Sequence, residues 1–507
     1  MVAKVRSGAV VGVEGRVVEV EVDLGQGLPS FDIVGLPDSA VRESRERVRA
    51  AIKNAGFTMP AKSITINLAP ADIRKEGPSF DLPIAIGVLA CIGVVPQSAT
   101  EKAFVVGELS LDGGVRPVKG VLPLVNGAVQ GGYSICAVPE ANADEAALVQ
   151  GARVLPVRDL KQLVAVLRGE LKTRAYRPAE IEDAAASGGL DFADVKGQDM
   201  VKRALEIAAA GRHNVLMTGP PGSGKTMMAK RMPSILPALT FEESLEVTKI
   251  YSVAGLLGNA NALIAQRPFR APHHTISDSA LTGGGRVPKP GEISLAHNGV
   301  LFLDELPEFH RNVIEVLRQP MEDGYVNISR VNGTMTYPAG FMLIASMNPC
   351  PCGYYGEENR CTCSMTEVVR YHNKLSGPLL DRIDIHVDTH KLAYKELDNR
   401  TRGESSEAIR ERVVRAHALQ SARFKAEGVT SNAQLTASQI ETACCLDEAG
   451  MALMRGAFDI LNLSARAYHK ILKVARTIAD LDGEECVKER HVAEAVQYRR
   501  LENRIRT

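Results

Sequence analysis

The octapeptide GPPGSGKT, residues 219–226, restricts the fold of this chain more than any other stretch. It matches the pattern G-x-x-x-x-G-K-[ST] and directly follows the apolar run NVLMT. Glycines at this spacing let backbone N–H groups surround phosphate oxygens at the positive end of the next helix. The stretch therefore predicts a strand, a phosphate-binding loop and a helix, with a chance glycine-rich turn as the alternative. The residues expected at the nucleotide are Gly219, Pro220, Pro221, Gly222, Ser223, Gly224, Lys225 and Thr226.

Two further apolar strands end in polar residues, in the order that ATP hydrolysis requires. GVLFLDEL carries Asp304 and Glu305 at its end, and GFMLIASMN ends in Asn348. We expect Lys225 to bridge the outer phosphates, and Thr226 and Asp304 to hold Mg²⁺. Glu305 is placed to polarise the attacking water, and Asn348 either orients that water, senses the γ-phosphate, or is an ordinary strand-end asparagine. ATP and Mg²⁺ are therefore the predicted cofactors.

The 507 residues are too many for one hydrophobic core, and their patterns change along the chain. Residues 1–170 have the pattern of a mixed α+β domain, and the polar residues 171–190, with proline and glycine, form a linker. Residues 191–390 alternate short apolar strands with helices, the pattern of a parallel sheet, and residues 391–507 have helical spacing. The predicted fold class is α/β, with an N-terminal α+β domain, a P-loop core and an all-helical C-terminal lid.

Charge and composition limit the partners. The chain has 60 basic and 60 acidic residues, so a polyanion would have to be held by a local basic strip. No apolar run approaches the ~20 residues that a membrane span needs, and the N-terminus lacks the apolar core of a signal peptide. We therefore expect a cytoplasmic protein without a membrane partner. The nine cysteines, an odd number, favour thiols or a metal site over a disulfide scaffold.

Four of these cysteines form a C-x-C-x8-C-x-C array directly after Asn348. Four thiolates suit tetrahedral Zn²⁺, and such a site is structural because the protein fills every position. The C-x-C spacing is less usual than C-x2-C, and free thiols in a loop are the alternative. The candidate zinc ligands are Cys350, Cys352, Cys361 and Cys363.

Ser79, in KEGPSFDLPIA, opens an apolar helix, where its hydroxyl is either a nucleophile or a helix cap. This stretch and VVGELSLDGGVRPVKGVLPLVNGAVQGGY resemble the proteolytic domain of Lon, which uses a serine–lysine dyad. Where the lysine of that family stands, this sequence reads VLPLVNGA, and Lys119 precedes the helix instead. We therefore expect Ser79 to be a helix cap and this domain to lack peptidase activity.

The phosphate-binding region resembles the AAA+ ATPases, and within them the magnesium-chelatase-like branch. In DFADVKGQDMVKRALEIAAAG, Val195 and Gln198 bound the segment that this family places beside adenine. The resemblance also implies a trans-acting arginine finger at Arg382 in SGPLLDRIDI, and a sensor-2 arginine at Arg466 in LNLSARAYHKILKVAR. Either arginine could instead be a surface salt-bridge residue. A finger that acts in trans implies a ring, and we expect a homo-hexamer.

Two insertions carry the information about a substrate. VNISRVNGTMTYPAGF contains Asn332-Gly333 between alternating residues, which predicts a type I′ hairpin. In the subgroup that includes magnesium chelatase and the MCM helicases, such a hairpin points into the ring pore, where Arg330 would meet a phosphate backbone. FRAPHHTISDSALTGGGRVPKPGEISLAHNG is locally basic, and on charge pattern alone it is an ordinary solvated loop. The candidate DNA contacts are Arg330, Arg270, His273, His274 and Arg286.

A Lon-like domain, a linker, a chelatase-like module with FRAPHHT and NPCPCGYY, and a helical lid resemble the YifB/ComM family over essentially the whole chain. The resemblance implies a bacterial hexameric ring that hydrolyses ATP to drive branch migration of DNA in homologous recombination, notably in natural transformation. The expected partner is single-stranded or branched DNA. The residues by themselves reach only a ring ATPase with basic pore elements. Two alternatives stay open: a chelatase-type motor subunit that remodels a protein partner, and an ATP-dependent peptidase of the Lon type.

Overall fold

The structure is a computed structural model that describes residues 2–172, 176, 189–257, 263–285, 288–330, 333–356, 360–392, 398 and 402–499. The linker expected at 171–190 lies for the most part outside these ranges. Contacts divide the chain into two compact units: Met1–Ala184 with Phe241–Ile264, and Ala185–Thr240 with Ala265–Thr507. Among the described residues, no helix combines the length and the apolarity that crossing a bilayer needs.

Nine strands lie in the described part of the first unit. They are β1 (Val2–Val11), β2 (Glu14–Gly25), β3 (Phe31–Val34), β4 (Ser63–Ala69), β5 (Ala103–Val105), β6 (Glu108–Leu109), β7 (Val115–Arg116), β8 (Ile135–Pro139) and β9 (Arg153–Val157). Seven of them form one mixed sheet with the order β3-β4-β2-β1-β5-β8-β9, and β6 and β7 form a separate ribbon. In β2 the buried residues Val18, Val20 and Val22 alternate with acidic residues, as a strand with one covered face requires.

Six described α-helices of this unit precede the linker. They are α1 (Ser39–Asn54), α2 (Asp81–Cys91), α3 (Gln97–Thr100), α4 (Val121–Gln130), α5 (Ala143–Ala147) and α6 (Leu160–Leu167). Asp38 caps α1, because its carboxylate accepts the Val41 N–H at 2.8 Å. Helix α2 is buried over nearly its whole length, in keeping with the apolar sequence that follows Asp81.

Ser79 lies in a 3₁₀ turn, Pro78–Phe80, that precedes α2. Gly77 is the N-cap of that turn and Phe80 is the N-cap of α2, so the prediction that Ser79 caps the helix is wrong. The physical reason is a contact from a distant part of the sequence. The carbonyl of Gly107 accepts the Leu82 N–H at 3.0 Å and thereby satisfies a free donor of the first helical turn.

The second unit has a five-stranded parallel sheet with two small antiparallel ribbons, which confirms the predicted parallel α/β core. Its strands are β10 (Val215–Thr218), β11 (Phe269–Arg270), β12 (Gly283–Gly284), β13 (Lys289–Pro290), β14 (Val300–Leu303), β15 (Tyr325–Arg330), β16 (Gly333–Pro338), β17 (Met342–Met347) and β18 (Ile385–Asp388). The sheet has the order β11-β14-β17-β10-β18, so β10 lies between β17 and β18. Pairs β12–β13 and β15–β16 are the ribbons.

Helices pack around this sheet and make up the C-terminal part of the unit, which confirms the predicted helical region after β18. They are α7 (Asp199–Gly211), α8 (Lys225–Ala229), α9 (Met232–Ile235) and, after α10 (Phe241–Ala254) of the first unit, α11 (Asp278–Thr282), α12 (Glu292–Leu295), α13 (Arg311–Glu315), α14 (Arg318–Asp323), α15 (Met365–His372), α16 (Gly377–Leu380), α17 (Ser406–Arg423), α18 (Ala437–Ala443), α19 (Glu448–Ile460), α20 (Ala465–Leu481) and α21 (Glu489–Gln497). One apolar core joins α7, α17 and α20 to β10.

Helix α10 is the part of the chain whose packing the sequence pattern does not reveal. It follows the phosphate-binding loop in sequence, yet it packs against α4 of the first unit. Val247 and Ile250 are buried there, and the Gly120 N–H donates to Ser252 O at 3.2 Å. Ser252 Oγ also donates to the buried carboxylate of Glu145. The segment 241–264 thus supplies a structural helix to the first unit.

Candidate nucleotide site

The loop 219–224 joins strand β10 to helix α8, the arrangement that the sequence predicts. Gly222 and Gly224 have left-handed backbone angles, with φ of 78° and 89°, which glycine adopts at the lowest steric cost. A Cβ at Gly219 would overlap Thr389, whereas a Cβ at Gly222 would meet no atom within 4 Å. The loop is therefore tightly packed where it begins and open at Gly222, which leaves room for a phosphate group.

Lys225 begins α8 and is almost fully buried. Its Nζ donates to Gly219 O at 2.6 Å, to Pro220 O at 3.0 Å and to Asn348 Oδ1 at 3.3 Å. Burial lowers the pKa of Lys225, and the two carboxylates that follow β14 oppose that shift. Because the three acceptors are neutral oxygens, the ammonium group keeps a positive charge that a phosphate can neutralise.

Asp304 follows β14 and lies beside the end of β17. Thr226 Oγ1 donates to Asp304 Oδ2 at 2.6 Å, and Ser346 Oγ donates to Asp304 Oδ1. Hydroxyl and carboxylate oxygens are the ligands that Mg²⁺ prefers, so these groups fit the ion that accompanies a nucleotide. Sequence reasoning missed Ser346, because it stands inside an apolar strand and only the register of β14 against β17 identifies it.

Glu305 has a strained backbone and an exposed side chain. Its φ is 53°, a left-handed value that costs a residue with a side chain about 1–3 kcal/mol and is found most often at functional sites. The side chain is 53% exposed, and Glu305 Oε2 lies 3.8 Å from His274 Nδ1. The His274 ring also lies against those of His273 and Phe309. The structure thus brings His274, a predicted DNA contact, to the carboxylate predicted to polarise water.

The predicted adenine-side segment is hydrogen-bonded to the phosphate-binding loop. Val195 is fully buried, and Gln198 is 2% exposed with a left-handed φ of 59°. Gln198 Nε2 donates to His390 O at 2.5 Å and to Ser223 O at 3.3 Å. These bonds tie the start of α7 to the phosphate-binding loop.

Arg382 and Arg466 lie together, away from this loop. Arg382 Nη2 is 2.7 Å and Arg466 Nη2 is 3.3 Å from Glu322 Oε1. Arg382 precedes β18, whose first residue pairs with the first residue of β10, whereas the loop follows the last residue of β10. A four-residue parallel strand is about 10 Å long, so the arginines and the loop lie at opposite edges of the sheet. We call these the amino edge and the carboxyl edge.

A cavity of about 660 Å³ opens at the amino edge. Its cationic side chains outnumber its carboxylates, and its cations include Arg212, Lys470 and Lys473 beside the two arginines. Lys470 Nζ pairs with Asp384 at 2.7 Å, and burial lowers the pKa of Lys470 to about 8 against the opposing charge of that carboxylate. The cavity therefore suits an anionic group from outside the subunit.

The remaining DNA-contact candidates differ in their surroundings. Arg270 is engaged in a two-bond ion pair with Glu292, at 2.6 and 2.7 Å, and His273 is exposed with Nδ1 2.9 Å from Thr275 Oγ1. Strands β15 and β16 form the predicted hairpin with Arg330 opposite Gly333. Gly333 therefore belongs to the strand rather than to the turn. Arg286, the Arg330 side chain and the predicted turn at Asn332 lie outside the described residues.

The four clustered cysteines converge directly after β17. Their sulfur atoms all lie within 4.8 Å of one another, and Cys350 is buried while the others are half-buried. Residues 11 positions apart in sequence, Cys350 and Cys361, have sulfurs 3.9 Å apart. Because the four sulfurs are close enough to bind one ion, the array is a candidate metal centre.

Three family profiles match separate parts of the chain, and all three describe magnesium-chelatase subunit ChlI. A profile described as "Magnesium chelatase, subunit ChlI" matches residues 191–397. Profiles described as "Subunit ChlI of Mg-chelatase" and "Magnesium chelatase, subunit ChlI C-terminal" match residues 20–142 and 403–499. The family is one of AAA+ ATPases, a class of proteins that use ATP and Mg²⁺.

Among curated relatives, the chain is 45% identical to "Competence protein ComM" of Haemophilus influenzae over 504 residues, which are 98% of this chain and 97% of that protein. It is 44% identical to "Uncharacterized protein YifB" of Escherichia coli over the same shares of the two chains. The "Magnesium-chelatase 67 kDa subunit" of Chlorobaculum parvum matches 162 residues at 28% identity, 31% of this chain and 23% of that protein. The chain belongs to the ComM/YifB family of magnesium-chelatase-like proteins.

Proposed function

We propose that this protein is a homo-hexameric ring motor that uses ATP to move single-stranded or branched DNA in the cytoplasm, and that it migrates branch points in homologous recombination and natural transformation. One observation carries the proposal. The groups that fit a nucleotide and the two arginines lie at opposite edges of one sheet, so one subunit cannot bring both sets to the same phosphate. Adjacent subunits in a ring can. The name of the Haemophilus relative, a competence protein, supports DNA as the substrate.

At the carboxyl edge, each side chain has a separate task in this account. The backbone at Gly222 and Gly224 and the Lys225 ammonium hold the outer phosphates, and Thr226 and Asp304 hold Mg²⁺, which neutralises charge on the phosphate oxygens. Lys225 then exchanges neutral carbonyl acceptors for charged ones, and such bonds are stronger. Glu305 orients the attacking water and accepts its proton, and Asn348 fixes the position of the γ-phosphate.

At the amino edge, Arg382 and Arg466 act on the nucleotide of the adjacent subunit. In the isolated subunit Glu322 partners both guanidinium groups. Ring closure replaces this carboxylate with phosphate oxygens, and the guanidinium groups then neutralise the charge that develops as the phosphoryl group leaves. Lys470 and Lys473 line the same cavity and make it attractive to a polyphosphate.

The β15–β16 hairpin is the proposed DNA-contacting element. Val326 and Ile328 are buried and anchor one face, while Asn327 and Ser329 are exposed on the other. Exposed hydroxyl and amide groups of this kind, with Arg330 at the hairpin end, are suited to phosphate contacts that do not read sequence. Arg286 and His273 of the preceding insert are further proposed contacts.

For the first unit we propose a Lon-like fold without peptidase activity. The sequence of α4 contains no lysine, and Ser79 lies in a 3₁₀ turn rather than at the exposed start of a helix. A serine hydroxyl without a neighbouring base is a poor nucleophile. The matching stretch in a magnesium-chelatase subunit favours a second candidate function, remodelling of a protein partner.

The test is ATP turnover with and without three- and four-strand DNA junctions at low salt, together with junction migration in a gel assay. We expect DNA to raise turnover, and Glu305→Gln to bind ATP without hydrolysing it. Glu308→Gln, an acid three positions on that pairs with Lys374 at 3.2 Å, is the matched control. If no DNA changes ATP turnover and none binds, the DNA assignment is refuted and protein remodelling remains. If the protein degrades casein and Ser79→Ala abolishes that activity, the peptidase alternative is established.

A further inference from the structure

Three sulfur–sulfur distances in the cysteine cluster are close to those of a metal-bound tetrahedron, and the sulfur of Cys363 lies within 4.8 Å of the other three. A Zn–S bond of about 2.3 Å places tetrahedral sulfurs about 3.8 Å apart. Here Cys350 and Cys352 have sulfurs 3.3 Å apart, Cys350 and Cys361 3.9 Å, and Cys352 and Cys361 3.7 Å. All four cysteines are free thiols rather than disulfides. Four sulfurs at this spacing, with no nitrogen or oxygen ligand needed, select a thiophilic ion such as Zn²⁺.

The loop that carries the four cysteines, which we call the cysteine loop, packs on one side against the phosphate-binding loop. Cys350 follows Asn348 by two residues, and Asn348 Oδ1 accepts the bond from Lys225 Nζ. Gly353 has a left-handed φ of 87°, and its N–H donates to Cys350 O at 3.0 Å. A Cβ at Gly353 would lie only 2.7 Å from Pro221 Cδ. The cysteine loop and the phosphate-binding loop are therefore in direct packing contact.

The other side of the cysteine loop is held by helix α15. Ser364, next to Cys363, caps that helix through a reciprocal pair of bonds with Glu367. At its far end His372 Nε2 donates to Pro349 O at 2.9 Å, and Pro349 adjoins Cys350. An ion bound by the four sulfurs would thus join the end of β17 to the start of α15 and close this ring of contacts.

We propose that Cys350, Cys352, Cys361 and Cys363 bind one Zn²⁺, and that the ion holds Asn348 and Pro221 in the positions that nucleotide binding needs. The first statement stands on the sulfur geometry alone, while the second rests on the proposed nucleotide site. Zinc loss then weakens ATP binding without unfolding the sheet, since β17 and α15 keep their own hydrogen bonds.

Metal content tests the first statement. The full-length chain, purified without added metal, should contain one zinc per chain by mass spectrometry, and Co²⁺ exchanged into it should give thiolate-to-cobalt absorption bands. Cys361→Ser/Cys363→Ser should lose both signals, whereas Cys445→Ser/Cys486→Ser, which changes two exposed cysteines elsewhere, should retain them. Zinc below a tenth of an equivalent in the wild-type chain, or equal zinc in the two double variants, would overturn the assignment.

Binding of a fluorescent ATP analogue tests the second statement. Chain stripped of zinc should bind it at least tenfold more weakly, and added Zn²⁺ should restore binding, with circular dichroism unchanged throughout. Gly353→Ala keeps all four ligands but pushes on Pro221, so it should retain zinc and weaken the analogue several-fold; Gly356→Ala, with φ of 89° and open space around it, is the control. Equal affinity with and without zinc would overturn the coupling, whereas absence of binding to zinc-loaded wild type would overturn the proposed nucleotide site instead.

Discussion

The two edges of the parallel sheet in the second unit carry functional groups in different states. At the carboxyl edge, Lys225, Thr226 and Asp304 are bonded to partners within the subunit, so this half is organised before a nucleotide arrives. At the amino edge, Arg382 and Arg466 share a single carboxylate beside a cavity of about 660 Å³. The groups of the carboxyl edge are thus bonded to one another, whereas the cationic side chains of the amino edge outnumber the carboxylates around them. This difference is what the proposed ring requires, in which the functional centre is the boundary between two subunits.

Removing the Arg382 guanidinium from the amino edge should lower ATP turnover more than any other change. We expect Arg382→Ala to lower the ATPase rate about 10³-fold, because an arginine finger stabilises charge that appears only in the transition state. The Arg466 side chain is 53% exposed and lies further from Glu322, so Arg466→Ala should lower the ATPase rate less. Steady-state kinetics with sedimentation of each variant makes the measurement. A variant that turns over at the wild-type rate as a monomer would refute the shared site.

Removing the proposed base of the carboxyl edge should come next. Glu305→Gln should lower turnover about 10²–10³-fold while leaving ATP binding intact, because general-base catalysis contributes on this scale and the amide keeps the same shape. Single-turnover kinetics and equilibrium binding check the two parts separately. Loss of binding in parallel with turnover would show that Glu305 holds the nucleotide rather than the water.

A smaller effect should follow from Ser346→Ala. The hydroxyl donates to Asp304, and a bond to a charged group stabilises by about 1.5–3 kcal/mol, so we expect turnover to fall about 10-fold and the Mg²⁺ requirement to rise. The titration of turnover against Mg²⁺ is the readout. Ser7→Ala, a buried serine on β1 of the first unit, should leave the titration unchanged. Matching curves for the two variants would remove Ser346 from the site.

The smallest change should come from His274→Ala. His274 Nδ1 lies 3.8 Å from Glu305 Oε2, so we expect that losing this contact frees the carboxylate and raises DNA-independent turnover about threefold, the scale of a weak and partly exposed contact. His273→Ala, with the adjacent ring removed, is the control. Turnover assayed without DNA distinguishes them, and an equal response of both variants would mean that the insert acts as a whole.

Local motifs predicted the strands and the loop that form the carboxyl edge. The loop, the strand that precedes it and the acidic end of β14 are each set by a few adjacent residues, and the parallel sheet follows from the alternation of apolar strands with helices. What the pattern could not provide is the partner of each side chain. Ser346 donates a hydrogen bond to Asp304 because the register of β14 and β17 places them side by side. Arg270 forms an ion pair with Glu292, which lies 22 residues away in the sequence.

Long-range packing explains the other differences. Helix α10 follows the phosphate-binding loop in sequence, yet its apolar face, Val247 and Ile250, is buried in the first unit. Ser79 lost its expected cap position because the carbonyl of Gly107, nearly thirty residues later, satisfies the helix start. Contacts of this kind depend on tertiary structure and leave no local signal.

Mixing two inactive variants tests the shared site most directly. Glu305→Gln subunits keep Arg382, and Arg382→Ala subunits keep Glu305, so a mixed ring contains boundaries at which an intact arginine faces an intact glutamate. We predict that the mixture hydrolyses ATP at least tenfold faster than either variant alone, with a maximum near equal amounts. A mixture no more active than its components at every ratio would contradict the account, because each subunit would then need both residues for itself.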